Sequence, residues 1–198
     1  SHFELLDSDG FWLSRTPDRF GRDWGADSVR AAVWAKLRSR QTGAIFLHLN
    51  THLDHISEQA RVEGSKLILR RLSEPQLVDL PVIVTGDFNC SPWVPEHDDS
   101  VPIRYTDESY RLFLEAGFTD TYLAAGNLDS DGSNTFHAFE GSQYSPQRHH
   151  MGWRLDWILT RDGTAHFETL SSIIVRDAIP PLYPSDHYPV LTDLRLNQ

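Results

Sequence analysis

The chain has 198 residues, of which 39% are hydrophobic, and a formal net charge of −10. This length is enough for one domain with a real core, so we expect a single domain over residues 1–198, and a monomer. The negative charge argues against tight, extended binding to nucleic acid. The one cysteine allows no internal disulfide, and no apolar stretch is long enough to span a membrane.

Apolar alternation and helix-forming segments predict a mixed α/β chain. In chain order we expect strands over 29–38 and 45–51, a helix over 57–72, a strand over 82–86, a helix capped by Asp107 over 107–116, and strands over 135–139, 154–160, 167–175 and 189–196. No strand is predicted before Phe11, and Glu4 is interpreted as a solvated residue. Hairpins mixed with crossovers predict two packed β-sheets with outer helices.

Polar side chains stand at the ends of, or inside, four of the predicted strands. Asp87 and Asn89 follow the apolar run 82–86, and residues two apart in extended chain point the same way. Taken alone, this pair is equally typical of an ordinary turn. Because the pattern recurs four times, it favours a built site; its members are Asn50, His52, Asp87, Asn89, Asp156, Asp186 and His187.

The chemistry of this set indicates metal-assisted hydrolysis. Carboxylates about 4 Å apart repel by about 4 kcal/mol at an effective dielectric of 20, so clustered aspartates need a cation or a shared proton. Oxygen ligands without thiolates favour Mg²⁺ or Mn²⁺, and less strongly Ca²⁺. Histidines beside such a metal can bind phosphate oxygens or move protons near neutral pH. The combination is typical of water attack on a phosphoester.

Four ordered motifs carry a family resemblance. Residues 50–53 (NTHL), 86–89 (GDFN), 154–158 (RLDWI) and 185–189 (SDHYP) resemble the endonuclease/exonuclease/phosphatase superfamily, the deoxyribonuclease I-like group. The resemblance implies a four-layer sandwich of two packed mixed β-sheets flanked by helices. It also implies an Mg²⁺-dependent phosphoesterase, with Mn²⁺ as the other candidate metal.

The resemblance implies roles for the residues that handle water and metal. Asp87 would orient or deprotonate the attacking water, and Asn89 would bind the phosphate or that water. Asp186 would be a metal ligand together with Asp87.

It likewise implies roles for the remaining polar residues. His187 would hydrogen-bond the scissile phosphate, and His52 would contact the phosphate from the other side. Asp156 would orient one of these two histidines, and which one is left open. Asn50 would help to position the same network.

One expected part of the family pattern is missing from the sequence. Members open with a strand ending in an asparagine, followed by a strand ending in the glutamate that is the principal metal ligand. Neither precedes Phe11. We therefore expect the first strands of the domain, with those two ligands, to lie outside this sequence, which leaves the activity of the 198 residues by themselves open.

The predicted activity is a phosphodiesterase or nuclease, acting on nucleic acid or on a small phosphodiester. The alternatives are a catalytically inactive member that serves as a binding module, and a lipid or inositol phosphate phosphatase. Trp153 leaves a related choice open, because an indole beside a strand can stack on a base or pack in the core.

Overall fold

The described part of the chain forms two β-sheets and four short to medium α-helices. The structure is a computed structural model and describes residues 2–93, 108–149, 151–180 and 182–197. Its elements are β1 (Phe3–Trp12), β2 (Ala31–Ser39), β3 (Ile45–His52), α1 (Glu58–Leu72), β4 (Val82–Asp87), α2 (Glu108–Glu115), β5 (Thr119–Asp120), α3 (Thr121–Ala124), α4 (Pro146–His149), β6 (Asp156–Arg161), β7 (His166–Ile174) and β8 (Val190–Asn197).

The larger sheet has six strands in the order β1-β2-β3-β4-β6-β5. Its strands β3 and β4 run parallel, and all of its other neighbouring pairs are antiparallel. A parallel pair needs a crossover connection, and α1 supplies it between β3 and β4. The second sheet is the antiparallel pair β7-β8. This mixed α/β architecture confirms the predicted fold class.

The hydrophobic core lies between the larger sheet and α1. Leu47 and Leu49 of β3 are fully buried and belong to one cluster with Ile68 and Leu72 of α1. Because side chains alternate across a strand, the intervening residues of β3 point to the opposite face of the sheet. That opposite face carries the polar residues of the candidate site.

Helix α1 follows the prediction closely. Its N-cap is Ser57, whose hydroxyl accepts a hydrogen bond from the Ala60 backbone N–H, as the hydroxyl of a good capping residue does. Asp54 stabilises the backbone just before this helix, because one of its carboxylate oxygens accepts from the backbone N–H groups of Ile56 and Ser57. The last turn carries Arg70 and Arg71 at the negative end of the helix dipole.

The expectation that no strand precedes Phe11 is wrong, because β1 forms the edge of the larger sheet. The run from Asp7 to Gly10 interrupts the apolar alternation, and a bulge between Leu5 and Asp7 shifts the pairing. Glu4 lies in this strand and pairs with Arg38 at 3.0 Å, at the end of β2 remote from Ala31. Glu4 therefore lies far from the candidate site.

The predicted strand over 135–139 is also wrong. Phe136 forms one isolated bridge to His187, and the chain then turns. The backbone of Ala138 and Phe139 is left-handed, with φ of 48° and 62°, which an extended strand does not allow. The predicted cap Asp107 lies outside the described residues.

Contacts between side chains join the two sheets. Phe46 of β3 and Phe167 of β7 meet edge to face with ring centroids 6.3 Å apart. In the part of the chain that the structure describes, no helix combines the length and the apolar character needed to cross a membrane.

Candidate active site

Three strands of the larger sheet bring acidic and imidazole groups to one edge. The parallel strands β3 and β4 end side by side at His52 and Asp87. Strand β6 runs the opposite way and starts at Asp156, directly across from Asp87. Gly86 allows this close packing, because its φ is +154° and a Cβ there would overlap the carbonyl oxygen of Thr51.

A tight turn fixes the Asp87 carboxylate after β4. One carboxylate oxygen accepts the Asn89 backbone N–H at 2.9 Å. The Asn89 amide Nδ2 donates to the other oxygen at 3.3 Å and to the Leu53 carbonyl at 3.1 Å. Asn89 itself has left-handed backbone, φ 47°, a conformation that asparagine tolerates. Asn89 therefore holds Asp87 against the end of β3.

Asp156 pairs with His187, which answers the question that the sequence leaves open. His187 Nδ1 and Asp156 Oδ2 are 2.7 Å apart, the length of a charge-assisted hydrogen bond. Thr135 ties the two together: its hydroxyl accepts the Asp156 backbone N–H at 3.2 Å, and its carbonyl accepts the Tyr188 N–H at 2.7 Å.

Asp87 lies between two imidazole rings. His52 Nε2 is 3.1 Å from Asp87 Oδ2, and His187 Nε2 is 3.8 Å from the same oxygen. The His52 side chain is 51% exposed, whereas those of His187 and Asp87 are 22% and 14% exposed. The histidines thus approach one carboxylate from two sides, and His52 is the more accessible of the two.

The surroundings of His187 favour its protonated form. Burial lowers the pKa of His187, but the hydrogen bond and charge of Asp156, with the charges of Asp87 and Asp186, raise the pKa above its ordinary value overall. A raised pKa keeps a positive charge on the ring near neutral pH. Such a ring can donate from Nε2 to an anion while Nδ1 stays on Asp156.

One group of side chains could hold a metal ion. Ligand atoms of Asp87, Asp156 and His187 all lie within 4.8 Å of one another, the sole such group among the described residues. The two carboxylates fit a divalent cation, since Mg²⁺ prefers oxygen ligands. An imidazole ligates a metal only through an unprotonated nitrogen, so a protonated His187 would lie beside the ion rather than bind it. Asp186 lies outside this group, with its carboxylate near the Ser185 hydroxyl at 3.4 Å. Its assignment as a metal ligand stays a prediction.

The predicted positioning residue Asn50 contacts a residue that the sequence did not single out. Its amide Nδ2 lies 2.9 Å from the Thr85 hydroxyl and 3.2 Å from the Thr85 carbonyl. The same hydroxyl is 2.9 Å from His48 Nε2. His48 and Thr85 were thus missed, although the alternation of β3 already places His48 on the face of Asn50 and His52.

Trp153 belongs to the core rather than to a ligand pocket. It is 5% exposed, and its indole N–H donates to Asp131 at 3.1 Å. The adjacent Arg154 is buried between Asp120 and Asp129, with closest contacts of 2.6 Å to each. Because both aspartates offset its charge, Arg154 can be buried next to Leu155 and Asp156.

Comparison with known families now identifies the chain. The model of the Endonuclease/Exonuclease/phosphatase family matches residues 8–187, which include every residue of the site described above. The chain belongs to this family. The family's name covers endonucleases, exonucleases and phosphatases, all of which hydrolyse phosphoesters. The chain is therefore a member of a family of phosphoesterases.

Several solved structures are similar to the chain. An endonuclease/exonuclease/phosphatase from Bacteroides vulgatus is 32% identical with a TM-score of 0.78, and the match covers 99% of this chain and 67% of that one. A mannosyl-6-phosphatase from Bacteroides thetaiotaomicron is 29% identical with a TM-score of 0.74, covering 98% and 67%. D. rerio TDP2, solved with a single-stranded DNA product, shares the fold at 18% identity, a TM-score of 0.69, and 98% and 69% coverage.

The chain therefore spans about two thirds of the length of these members of the family. The comparison with curated proteins gave no match.

Proposed function

We propose that this family member is a divalent-metal-dependent phosphodiesterase that activates water at Asp87. The observation that carries the proposal is the position of Asp87 Oδ2, 3.1 Å from His52 Nε2 and 3.8 Å from His187 Nε2. A carboxylate between two imidazoles can orient a water molecule and pass protons on either side. Such a group is what hydrolysis of an unreactive phosphoester needs.

Asp87 and Asp156 would hold the metal, with Asp186 as the further ligand that the family resemblance implies. A bound Mg²⁺ or Mn²⁺ supplies positive charge beside the phosphoryl oxygens. The two half-buried carboxylates support this assignment, because a cation relieves their mutual repulsion.

The chain's own residues perform the remaining steps. Asp87 orients the water and takes its proton, and Asn89 keeps the carboxylate in place. His187, held in one orientation by Asp156, donates from Nε2 to the phosphate as negative charge develops on it. His52, exposed on the other side of Asp87, is placed to protonate the leaving oxygen.

Charge favours a diester over a monoester. A phosphodiester carries one negative charge at neutral pH, whereas a monoester carries between one and two. The site holds two carboxylates, and the chain has a net charge of −10. The monoanion is therefore repelled less. Candidate diesters are a nucleic acid and a small phosphodiester.

A phosphomonoesterase is the second candidate function. It is favoured by the likeness to the mannosyl-6-phosphatase, an enzyme named for its action on a sugar phosphate. A metal-bound site of this kind could accept a monoester where the cation offsets the additional charge.

The test is a hydrolysis assay of the longest polypeptide that contains these 198 residues. The substrates are a chromogenic diester, a chromogenic monoester, plasmid DNA and mannose 6-phosphate, each with Mg²⁺, with Mn²⁺ and with EDTA. We expect metal-dependent turnover of the diester, and losses of about 10²–10⁴-fold in Asp87→Ala and His187→Ala. Preference for the monoesters would support the second candidate. No turnover of any substrate would point to an inactive binding module and reject the proposal.

A further inference from the structure

A row of polar side chains runs along β3 behind the candidate site. His48, Asn50 and His52 alternate with the buried residues Leu47, Leu49 and Thr51, and they therefore share the face of the sheet opposite α1. His52 contacts Asp87, and the other two residues both contact Thr85 of β4. Asn50 and Thr85 are direct register partners in the parallel pair β3-β4.

The hydrogens in this cluster can be assigned by counting donors. The Asn50 Nδ2 group can only donate, and it lies within hydrogen-bond distance of the Thr85 hydroxyl oxygen, at 2.9 Å. That oxygen therefore acts as an acceptor toward Asn50. The single hydroxyl hydrogen of Thr85 remains for the other neighbour, His48 Nε2, also at 2.9 Å. A threonine oxygen has two lone pairs and could also accept from an Nε2–H, but the hydroxyl hydrogen would then have no partner in this cluster. The arrangement that uses this hydrogen has His48 accepting at Nε2 and carrying its proton on Nδ1.

The buried setting of His48 agrees with this assignment. Burial lowers the pKa of His48 below its ordinary value, so the ring is neutral near pH 7 and Nε2 keeps its lone pair. The neighbouring positions on the same face, Ala35 opposite His48 and Val33 opposite Asn50, offer no polar side chain.

We propose that His48 is a positioning residue, acting through an ordered chain of hydrogen bonds from Asn50 to Thr85 to His48. The chain fixes the Asn50 amide with both Nδ2 hydrogens on Thr85 and with Oδ1 turned away from it. Asn50 is exposed and lies two residues before His52 on the same face, about 7 Å along the strand. Asn50 thus presents an acceptor oxygen beside the site.

The direction of the chain matters because the Thr85 hydroxyl can rotate. Without an acceptor at position 48, its hydrogen is free to point toward the Asn50 amide, and its oxygen then no longer accepts from Nδ2. The amide would be held by the Thr85 carbonyl alone, 3.2 Å away, and its Oδ1 would be less firmly positioned. His48 prevents this loss of one of the two hydrogen bonds. The catalytic use of that acceptor rests on the proposed function, but the order of the hydrogen bonds does not.

The order of the hydrogen bonds is tested by NMR on the whole 198-residue chain. A long-range ¹H–¹⁵N spectrum of the imidazole rings should show His48 protonated at Nδ1 and unprotonated at Nε2 at neutral pH. A His48 ring that carries its proton on Nε2, or that is doubly protonated, would overturn the proposal.

Exchange of the Asn50 side-chain NH₂ with solvent gives the second measurement. We expect exchange to be about fivefold faster in His48→Phe and in Thr85→Val, because one hydrogen bond is weakened or lost. His48→Gln, whose amide oxygen can accept from Thr85, and Thr85→Ser should restore slow exchange. Ile83→Val, on the same face of β4, is the matched control without a polar contact. Unchanged exchange in both His48→Phe and Thr85→Val would contradict the chain of hydrogen bonds.

Kinetics then separate positioning from a merely structural effect. If the phosphodiesterase is active, His48→Phe and Asn50→Ala should both lower kcat, and the double variant should be no slower than Asn50→Ala alone. Rate losses that multiply would show that His48 does not act through Asn50. A chain that hydrolyses no phosphoester would reject the proposed function, and the two NMR measurements would still decide the hydrogen-bond order.

Discussion

Replacing Asp156 with asparagine keeps the size of the side chain and removes the charge that holds His187. In the wild-type protein His187 Nδ1 and Asp156 Oδ2 are 2.7 Å apart. Burial lowers the pKa of His187, and Asp156 makes the largest opposing contribution. In Asp156→Asn the burial remains and that contribution is lost, so the pKa of His187 should fall.

The expected magnitudes follow from this one contact. A hydrogen bond to a charged group stabilises a protein by about 1.5–3 kcal/mol. Since the two side chains are 22% and 23% exposed, we expect a loss near the lower end, about 1.5 kcal/mol. The rate should fall by about 10²–10⁴-fold, because the ring loses both its orientation and its charge.

The assay is kcat/KM for a diester from about pH 5 to about pH 9, a range that brackets histidine titration. The alkaline limb that reports His187 should move to lower pH in Asp156→Asn. Asp193→Asn on β8, whose exposed carboxylate accepts from Ser171 on β7, is the matched control. A rate within about threefold of wild type, with the alkaline limb unmoved, would refute the role of the pair.

Urea unfolding without metal tests the same pair independently of activity. A histidine whose pKa is raised by folding stabilises the protein below its unfolded pKa, about 6.5. That stabilisation is lost as the pH rises through the folded pKa. The gap in unfolding free energy between wild type and Asp156→Asn should therefore be widest near pH 6 and narrow toward about pH 9. A gap that stays constant would contradict the raised pKa.

Three further predictions concern the metal and the scaffold. Mn²⁺ should raise the melting temperature of the wild-type chain but not that of Asp87→Asn in a thermal-shift assay; equal shifts would place the metal elsewhere. Arg154→Leu leaves Asp120 and Asp129 without their ion-pair partner and should lower the free energy of unfolding in urea by about 3–5 kcal/mol. The control Arg195→Ala, in an exposed ion pair, should lower it by less than about 1 kcal/mol. Although burial raises the pKa of Asp54, four backbone N–H groups lower it overall, so its stabilisation is present above its ordinary pKa of 3.8 and is lost at lower pH. Asp54→Asn should accordingly be less stable than wild type near pH 7, with the gap in unfolding free energy closing in acid.

Strongly alternating segments of the chain were predictable, and weakly patterned ones were not. The alternation of β3 and the helix-forming run of α1 specify their structure locally, because each has one clearly apolar face. Strand β1 carries no such signal, since its polar segment is tolerated at an exposed sheet edge. Ala138 and Phe139 form a left-handed turn, closed by the hydrogen bond from the Glu140 N–H to the His137 carbonyl, and neither residue type predicts such a turn.

The members of the candidate site were predictable for a similar reason, and their contacts were not. Asp87, Asp156 and His187 stand in short motifs at strand ends, where polar groups are conspicuous against apolar runs. Thr85 lies inside the apolar run of β4, where a threonine is an ordinary strand residue. Its contact with His48 depends on the register between β3 and β4, which the sequence does not display.

Strand order decides which histidine Asp156 supports. His52 ends β3 and Asp156 begins β6, and β4 lies between these two strands in the sheet. Neighbouring strands are about 4.8 Å apart, so the backbone of His52 is about 4.8 Å from that of Asp87 and about 9.6 Å from that of Asp156, which makes Asp87 the nearer acid to His52. His187 arrives from outside the sheet, through its bridge to Phe136, and is free to approach Asp156 directly. The strand order β3-β4-β6 therefore pairs Asp87 with His52 and leaves Asp156 to pair with His187. The spacing of the motifs along the chain does not show this pairing.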